Sequence, residues 1–271
     1  MENQSSGLLD KVKNAASAIL GGRRFTSAVI LAGGSGTRVG AAQTKQMITL
    51  CGLPLIVHTL LAFEKSEYID EIVVVAKADE IECYDAFRAE YGLTKLTKVV
   101  PGGATRQQSA KNGFDAISEK ADYVAIHDGA RALITPAQIK EVVLSAYAHG
   151  AAIAASRATD TVKYAEGGRI AETLDRTHIW LAQTPQVFRD EIYRAAAYTA
   201  EQNGFEGTDD ASLVENIGIG VQLVDCGAEN FKVTVASDLR RAEILLRERG
   251  EQKWCESDRA TTFTASSAAG I

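Results

Sequence analysis

Ala28-Val29-Ile30-Leu31, running straight into Ala32-Gly33-Gly34-Ser35-Gly36-Thr37-Arg38, is the stretch that decides how this chain folds. A short apolar run ending in glycines is the pattern of a strand buried on both faces, as in a parallel sheet covered by helices. The residues downstream repeat the theme. Pro54 to Phe63 carries apolar residues at helical spacing, with proline where a helix can begin. Ile72-Val73-Val74-Val75 reads as the next buried strand, Ile81 to Tyr91 as a helix, and Thr97 to Val100 as a third strand. Gly102-Gly103 leads into a helix from about Thr105 to Ser118, and Tyr123-Val124-Ala125-Ile126 is a fourth strand. Pro136 opens another helix, and Ala151 to Ala155 forms a fifth strand. Strands alternating with helices predict an α/β fold, a doubly wound and mainly parallel sheet with helices on both faces. Ligands in such sheets sit beyond the carboxyl ends of the strands. The glycine-rich and charged segments fall there, after Leu31, after Val100 and after Ile126.

The alternation stops at about residue 157. Residues 157–181 hold Asp160-Thr161-Val162-Lys163-Tyr164, a Gly167-Gly168 turn, and Ile170 to Leu174, the signature of a β-hairpin. This arm has too few apolar residues to stand alone, so it is expected to pack on another surface, such as a second subunit. Helical pattern returns at Arg189 to Gln202 and Asp209 to Glu215, followed by a strand at Val221 to Val224 and a helix at Asp238 to Arg249. The expected organisation is a loosely ordered leader over 1–24, one domain over 25–249, and a disordered tail over 250–271.

Composition narrows the function. Of the 271 residues, 46% are hydrophobic and 24% charged, which suits a globular protein with a large core. A net charge of -6 without a basic block leaves no electrostatic footprint for nucleic acid or an anionic membrane. No apolar run approaches the roughly 20 residues a membrane span needs. Cys51, Cys83, Cys226 and Cys255 are scattered without a CxxC pair, which argues against structural zinc and for a reducing cytoplasm.

Three segments carry chemistry. In the first, Gly33, Gly34 and Gly36 let backbone N–H groups approach a phosphate, while Arg38 and Lys45 are cations able to hold a triphosphate. It is no dinucleotide fingerprint, because Val39 stands where the third glycine belongs, and no Gly-Lys-Ser/Thr makes it a Walker loop. In the second, Pro101 to Ser109, Thr105 is a candidate helix N-cap, and helix N-termini attract anions. In the third, His127-Asp128-Gly129-Ala130-Arg131, a single Asp at a strand end suits magnesium beside a nucleotide. Pairing of Asp128 with Arg131 is the structural alternative, and His127 reads as structural. A fourth, dispersed group of Thr161, Arg176, Thr184, Thr208 and Lys232 has hydroxyls and cations that suit a phosphate and a polyol.

Together these segments resemble the 2-C-methyl-D-erythritol 4-phosphate cytidylyltransferases of the non-mevalonate isoprenoid pathway, from about Thr26 to Arg249. The resemblance rests on residues 32–38, Lys45-Gln46, 102–106, 127–131, Asp160-Thr161-Val162-Lys163 and Asp175-Arg176. It continues through Gln183-Thr184-Pro185-Gln186, Thr208-Asp209-Asp210-Ala211-Ser212 and Asn230-Phe231-Lys232-Val233-Thr234. It implies a Rossmann-like nucleotidyltransferase, homodimeric through the arm. Its substrates would be CTP and a small sugar-alcohol phosphate. Arg38 and Lys45 would hold the triphosphate. Main chain at Ala32, Gly33, Gly34, Gly103 and Ala104, with Ser109 nearby, would read cytosine. Asp128 would ligate Mg2+. Arg131, Thr184, Thr208 and Lys232 would hold the methylerythritol phosphate, with Lys232 also counted among the catalytic groups. Thr161 and Arg176 would arrive from the neighbouring subunit. The family usually has Pro where this chain has Ala132, Pro where it has Thr44, and Met where it has Val39; these read as changes in rigidity, with a looser loop beside Arg131.

The chemistry agrees with the residues. A phosphate monoester with a second pKa of about 6 is already an ionised nucleophile, so no general base is needed. The nearest competitor is the related family acting on ribitol 5-phosphate, which shares the first loop and the magnesium Asp. Asp175-Arg176 with Trp180 and Gln183-Thr184-Pro185-Gln186 favours methylerythritol phosphate. A nicotinamide reductase is disfavoured by the absent third glycine and ribose clamp. A non-catalytic nucleotide sensor is disfavoured by Arg38, Lys45, Asp128 and Lys232 together.

Overall fold

The computed structural model describes residues 24–33 and 44–250. The expected leader (apart from Arg24), residues 251–271 of the expected tail, Gly34 and Arg38 lie outside the described residues.

A seven-stranded sheet forms the centre. Its first strand, β1 (Thr26–Leu31), is followed by a short hairpin, β2 (Thr49–Leu50) and β3 (Leu53–Pro54), which turns at Cys51 and Gly52. The remaining sheet strands are β4 (Glu71–Ala76), β5 (Leu96–Pro101), β6 (Tyr123–Asp128), β7 (Ala151–Arg157), β10 (Trp180–Arg189) and β11 (Gln222–Asp225). They run in the order β11-β7-β10-β6-β1-β4-β5, parallel except where β10 lies antiparallel between β6 and β7. The chain leaves β1 toward β4 and β5, then returns to β6 on its other side. The switch point of the sheet is therefore β1/β6, where Leu31 pairs with Asp128.

Alternation along the strands separates two cores. Ala28, Ile30, Ile72 and Val74 face one cluster, which includes α1 (Leu55–Lys65), α2 (Ile81–Glu90) and α4 (Pro136–His149). Val29, Val73, Val75, Val124 and Ile126 face the other, with α3 (Arg106–Ala116), α5 (Asp190–Asn203) and α6 (Asp210–Asn216). A third, smaller cluster sets α7 (Ala236–Glu248) against Leu50, Leu55, Leu133 and Val233. The expected cap at Thr105 is present, and a second stands at Thr135. Thr105 Oγ1 accepts from Gln108 N at the start of α3, and Thr135 forms a capping box with Gln138 ahead of Pro136.

Two elements differ from the sequence reading. The hairpin β2/β3 precedes α1, so Pro54 ends a strand and caps the helix that follows. The larger difference is β10, a central strand that the pattern of residues 180–189 does not announce. Its sequence holds Gln183, Thr184, Pro185 and Gln186, and proline is rare inside a sheet. The structure accommodates it with a break: Ala182 pairs with Ala155 and Gln186 with Ile153, so three residues face the single Ala154. At that break Thr184 and Gln183 leave the ladder and turn to side-chain bonding.

The arm forms as expected. β8 (Val162–Glu166) and β9 (Arg169–Leu174) pair antiparallel in a separate two-stranded sheet. Gly167 and Gly168 have φ of 54° and 78°, the left-handed pair that a two-residue hairpin turn requires.

Candidate active site

The switch point opens into a cleft of about 400 Å³. Gly33 from the end of β1, Lys45, Gly103 and Ala104 from the β5–α3 turn, Ser109 from α3, Asp128 from β6, and Lys232 all line it, with Arg106 among them. Residues separated by nearly 200 positions thus meet at one crevice, where the order of elements placed them. Ala32, next to Gly33, is fully buried and donates its N–H to Val75 O at 2.7 Å.

Gly129 brings the β6 loop against β1. Its N–H donates to Leu31 O at 2.9 Å, and a Cβ there would meet Ile56 Cδ1 at 2.5 Å. The β5–α3 turn is braced from within: Gly103 N–H donates to Ser109 Oγ at 3.0 Å and Ala104 N–H to Gln108 Oε1 at 2.9 Å. Ser109 is therefore placed to hold the turn's shape as well as to line the cleft.

Asp128 is the electrostatic centre. Lys232 Nζ donates to its Oδ2 at 2.9 Å, Arg106 Nε lies 3.5 Å from Oδ1, and Arg131 Nε lies 3.9 Å from Oδ2. Burial pushes the carboxyl pKa up, but Lys232 and Arg106, then Arg131, outweigh it and hold Asp128 well below the usual carboxylate range. The pairing with Arg131, the structural alternative in the sequence, is present but is the longest of three. Arg131 is held by its NH1, which donates to Asn230 O at 2.8 Å; its buried Nε has no hydrogen-bond acceptor. The loop carrying Ala132 is anchored without proline. Val233 N–H donates to Ala130 O at 2.9 Å, Arg249 NH1 to Leu133 O at 2.8 Å, and Ala132 itself is buried.

His127 is fully buried against Phe63, with Nδ1 3.1 Å from Thr184 Oγ1. Burial above all lowers its pKa to about 3, so the ring is neutral at physiological pH. Thr184 is itself buried, and its hydroxyl accepts the Asp128 N–H at 3.0 Å. The break in β10 thus places Thr184 behind Asp128 rather than on the cleft surface. Gln183 and Thr184 O both accept from Asn230 Nδ2 at 2.9 Å, and Gln183 also donates to Gly227 O, tying the Lys232 loop to β10.

Thr161, Arg176 and Thr208 do not line this cleft. All three are exposed; Arg176 donates to Thr159 O at the base of the arm, and Thr208 precedes the Asp209 cap of α6.

Two residues not assigned a role from sequence join the site. Arg106 NH1 donates to Asp210 Oδ2 at 2.8 Å while its Nε faces Asp128, and Asp210 Oδ1 accepts from Tyr193 OH at 2.9 Å. Burial raises the Asp210 carboxyl pKa, against the pull of Arg106. Arg106 and Asp210 both stand in quoted motifs; only contact between distant helices reveals their pairing.

Among the described residues no set of three or more His, Cys, Asp or Glu side chains converges as a metal site. A magnesium ion in this cleft would have Asp128 as its carboxylate among the described lining residues. A hard cation held by one carboxylate, with phosphate oxygens and water completing its shell, is an ordinary arrangement for magnesium beside a nucleotide. The residues present fit that arrangement, although Lys232 holds one Asp128 oxygen here. No helix among the described residues is long and apolar enough to cross a membrane.

Comparison with known proteins gives the family. The chain is 44% identical over 222 residues to the 2-C-methyl-D-erythritol 4-phosphate cytidylyltransferase of Syntrophus aciditrophicus, covering 81% of this chain and 95% of that one. The namesake protein of Geobacillus kaustophilus is 40% identical, with coverage of 82% and 97%. The crystal structure of the 2-C-methyl-D-erythritol 4-phosphate cytidylyltransferase from Thermus thermophilus superposes with a TM-score of 0.67 at 30% identity, covering 82% and 99%. That of the 4-diphosphocytidyl-2C-methyl-D-erythritol synthase from Anaerococcus prevotii gives 0.74 at 26%, covering 83% and 99%. With the family model matching residues 26–248, the chain belongs to the 2-C-methyl-D-erythritol 4-phosphate cytidylyltransferase family.

Proposed function

We propose that the chain transfers the cytidylyl group of CTP to 2-C-methyl-D-erythritol 4-phosphate, a step of the non-mevalonate isoprenoid route. The products are 4-diphosphocytidyl-2-C-methyl-D-erythritol and pyrophosphate. The observation that carries this reading is the convergence of Lys45, the braced β5–α3 turn and the Asp128–Lys232 pair on one cleft, in a chain of this family.

An ionised oxygen of the monoester attacks the α-phosphorus of CTP. The new P–O bond forms as the bond to the bridging oxygen breaks, and pyrophosphate leaves with the electron pair. The chain has to align the two phosphates and offset their negative charge. Lys45, with Arg38, holds the triphosphate; Ala32, Gly33, Gly34, Gly103 and Ala104 present main chain to the cytosine. Lys232, with a side chain 41% exposed, is free to shift from Asp128 toward the incoming monoester. Arg131 adds its positive charge beside Asp128, at 3.9 Å, and Thr184 acts from behind by fixing Asp128. Asp128 would hold a magnesium ion, whose contribution when bound is charge neutralisation across the phosphates. Thr161 and Arg176 complete the site of a second subunit, since in their own chain they lie away from the cleft. The protein acts as a cytoplasmic homodimer in this reading.

The test is a product assay with CTP and either 2-C-methyl-D-erythritol 4-phosphate or ribitol 5-phosphate, with magnesium and with a chelator. The expected result is pyrophosphate release with the first substrate alone, lost on chelation. Preference for ribitol 5-phosphate would overturn the substrate assignment. The family and the relatives named above favour the methylerythritol substrate.

A further inference from the structure

We propose that Arg106 is a positioning residue, held from behind by Asp210 and Tyr193, which fixes the Asp128 carboxylate in the cleft. The inference rests on the reading of Asp128 as part of the active site and extends the site into the core.

Asp128 is held by two different kinds of cation. Lys232 sits on a flexible stem, 41% exposed, and can leave for a phosphate. Arg106 cannot leave so readily. Its guanidinium bridges two carboxylates, Nε toward Asp128 Oδ1 at 3.5 Å and NH1 to Asp210 Oδ2 at 2.8 Å. Asp210 is 1% exposed at the first turn of α6, where a carboxylate favours the helix N-terminus but cannot stay buried unpaired. Its other oxygen is taken by Tyr193 OH at 2.9 Å. Tyr193 is fully buried, stacked on Phe188 at 5.5 Å and edge-on to Phe114 at 4.9 Å. The aromatic core therefore fixes Tyr193, Tyr193 and Arg106 fix Asp210, and Asp210 fixes the arginine. When Lys232 departs, Arg106 remains to keep Asp128 oriented and ionised. Arg106 also starts α3, one residue after the Thr105 cap, so the same grip steadies the turn of Gly103 and Ala104.

A double-mutant cycle separates positioning from direct contact with substrate. Asp210→Asn and Arg106→Gln are each made in the wild-type chain and in Asp128→Asn. Turnover with CTP and methylerythritol phosphate is followed, along with Tm. In the wild-type background each is expected to lower kcat about tenfold, with the KM for CTP changed less than about threefold. In the Asp128→Asn background the further loss should be under about twofold, since groups acting through one residue are not additive. Asp210→Glu should restore part of the lost turnover. Full, additive losses in the Asp128→Asn background, or a large rise in KM with kcat intact, would overturn the inference and make Arg106 a substrate ligand or a purely structural group. Should Asp210→Asn fold poorly, Arg106→Gln, on a partly exposed side chain, carries the cycle alone. If Asp128→Asn itself left turnover unchanged, the reading of Asp128 would fail instead, which is a different outcome.

Discussion

The cleft and the arm are built on opposite terms. At the cleft, Asp128 has a side chain only 12% exposed and faces three cations, and the hydroxyl behind it is buried and hydrogen-bonded. On the arm, Ile170 is 66% and Tyr164 50% exposed, and the side-chain bonds are local, such as Lys163 to Thr173 and Tyr164 to Glu166. An isolated two-stranded hairpin is marginal in water. The body thus specifies its own geometry by burial, whereas the arm is shaped by its turn and keeps Ile170 and Tyr164 exposed. In the reading proposed above, the arm packs on a second copy, and the two regions depend on each other only across subunits.

Mixing inactive chains breaks this comparison most sharply. Lys45→Ala is expected to lower kcat on the order of 100-fold, as removal of one preorganised transition-state contact does, with Tm nearly unchanged. Arg176→Ala should likewise be poorly active. If Arg176 serves the partner's cleft, a heterodimer of the two variants has one site with both lesions and one with neither. Random exchange makes half the dimers heterodimers with one good site of two, so about a quarter of wild-type activity returns. No recovery after verified subunit exchange would place Arg176 in its own chain's site or outside any site, and would reject the shared arm.

The difference between the regions also explains what the sequence made legible. The strand–glycine junctions after Leu31 and Ile126 and the Thr105 cap could be read locally, because burial and turn chemistry leave local patterns. So could the Gly167-Gly168 turn. β10 could not, because a central strand carrying Pro185 in its middle contradicts strand propensity. Its residues were selected to bond Asp128, His127 and Asn230, and the broken register makes room for that. The Arg106–Asp210 pair was equally hidden, since charges 104 positions apart carry no spacing signal. Thr184 was legible as a site residue, but not as one facing inward.

The next expectation tests the body alone, through pH. His127 is held at a folded pKa of about 3, against 6.5 ordinarily. A histidine kept neutral by the fold favours folding above its unfolded pKa; as pH falls from about 6.5 toward 3, the unfolded chain binds a proton that the folded chain refuses. At pH 5 this amounts to about 2 kcal/mol of lost stability. His127→Gln removes the titration while keeping an amide that can reach Thr184 and Arg131. The fall in Tm between pH 7 and pH 5 should therefore be smaller in the variant by roughly 4–8 °C. An unchanged slope would mean that His127 gains protonation without unfolding the body.

The last comparison sets a glycine of the body, on α3, against a glycine of the arm's turn. Gly113 lies on α3 where the helix meets the sheet, and a Cβ there would come within 2.3 Å of Val29 Cγ1 and 2.6 Å of Val75 Cγ2. Gly168 lies on the arm at a φ of 78°, and a Cβ there would touch nothing within 4 Å. Alanine at position 113 gains about 1 kcal/mol of helix propensity and meets an overpacking cost of about 1–3 kcal/mol. Gly113→Ala should therefore lower Tm by a few degrees and, because α3 carries Thr105 and Arg106 into the cleft, weaken CTP binding with it. Gly168→Ala meets a backbone cost of about 1 kcal/mol for a left-handed conformation, confined to a hairpin that the body does not need. Its Tm should stay at the wild-type value while the dimer dissociation constant rises about thirtyfold, the equivalent of that cost in each of the dimer's two arms. Scanning calorimetry and sedimentation on both variants read the two quantities separately. Equal losses of Tm in the two variants would show that the arm is folded together with the body, and the division between a self-sufficient cleft and a partner-dependent arm would fall.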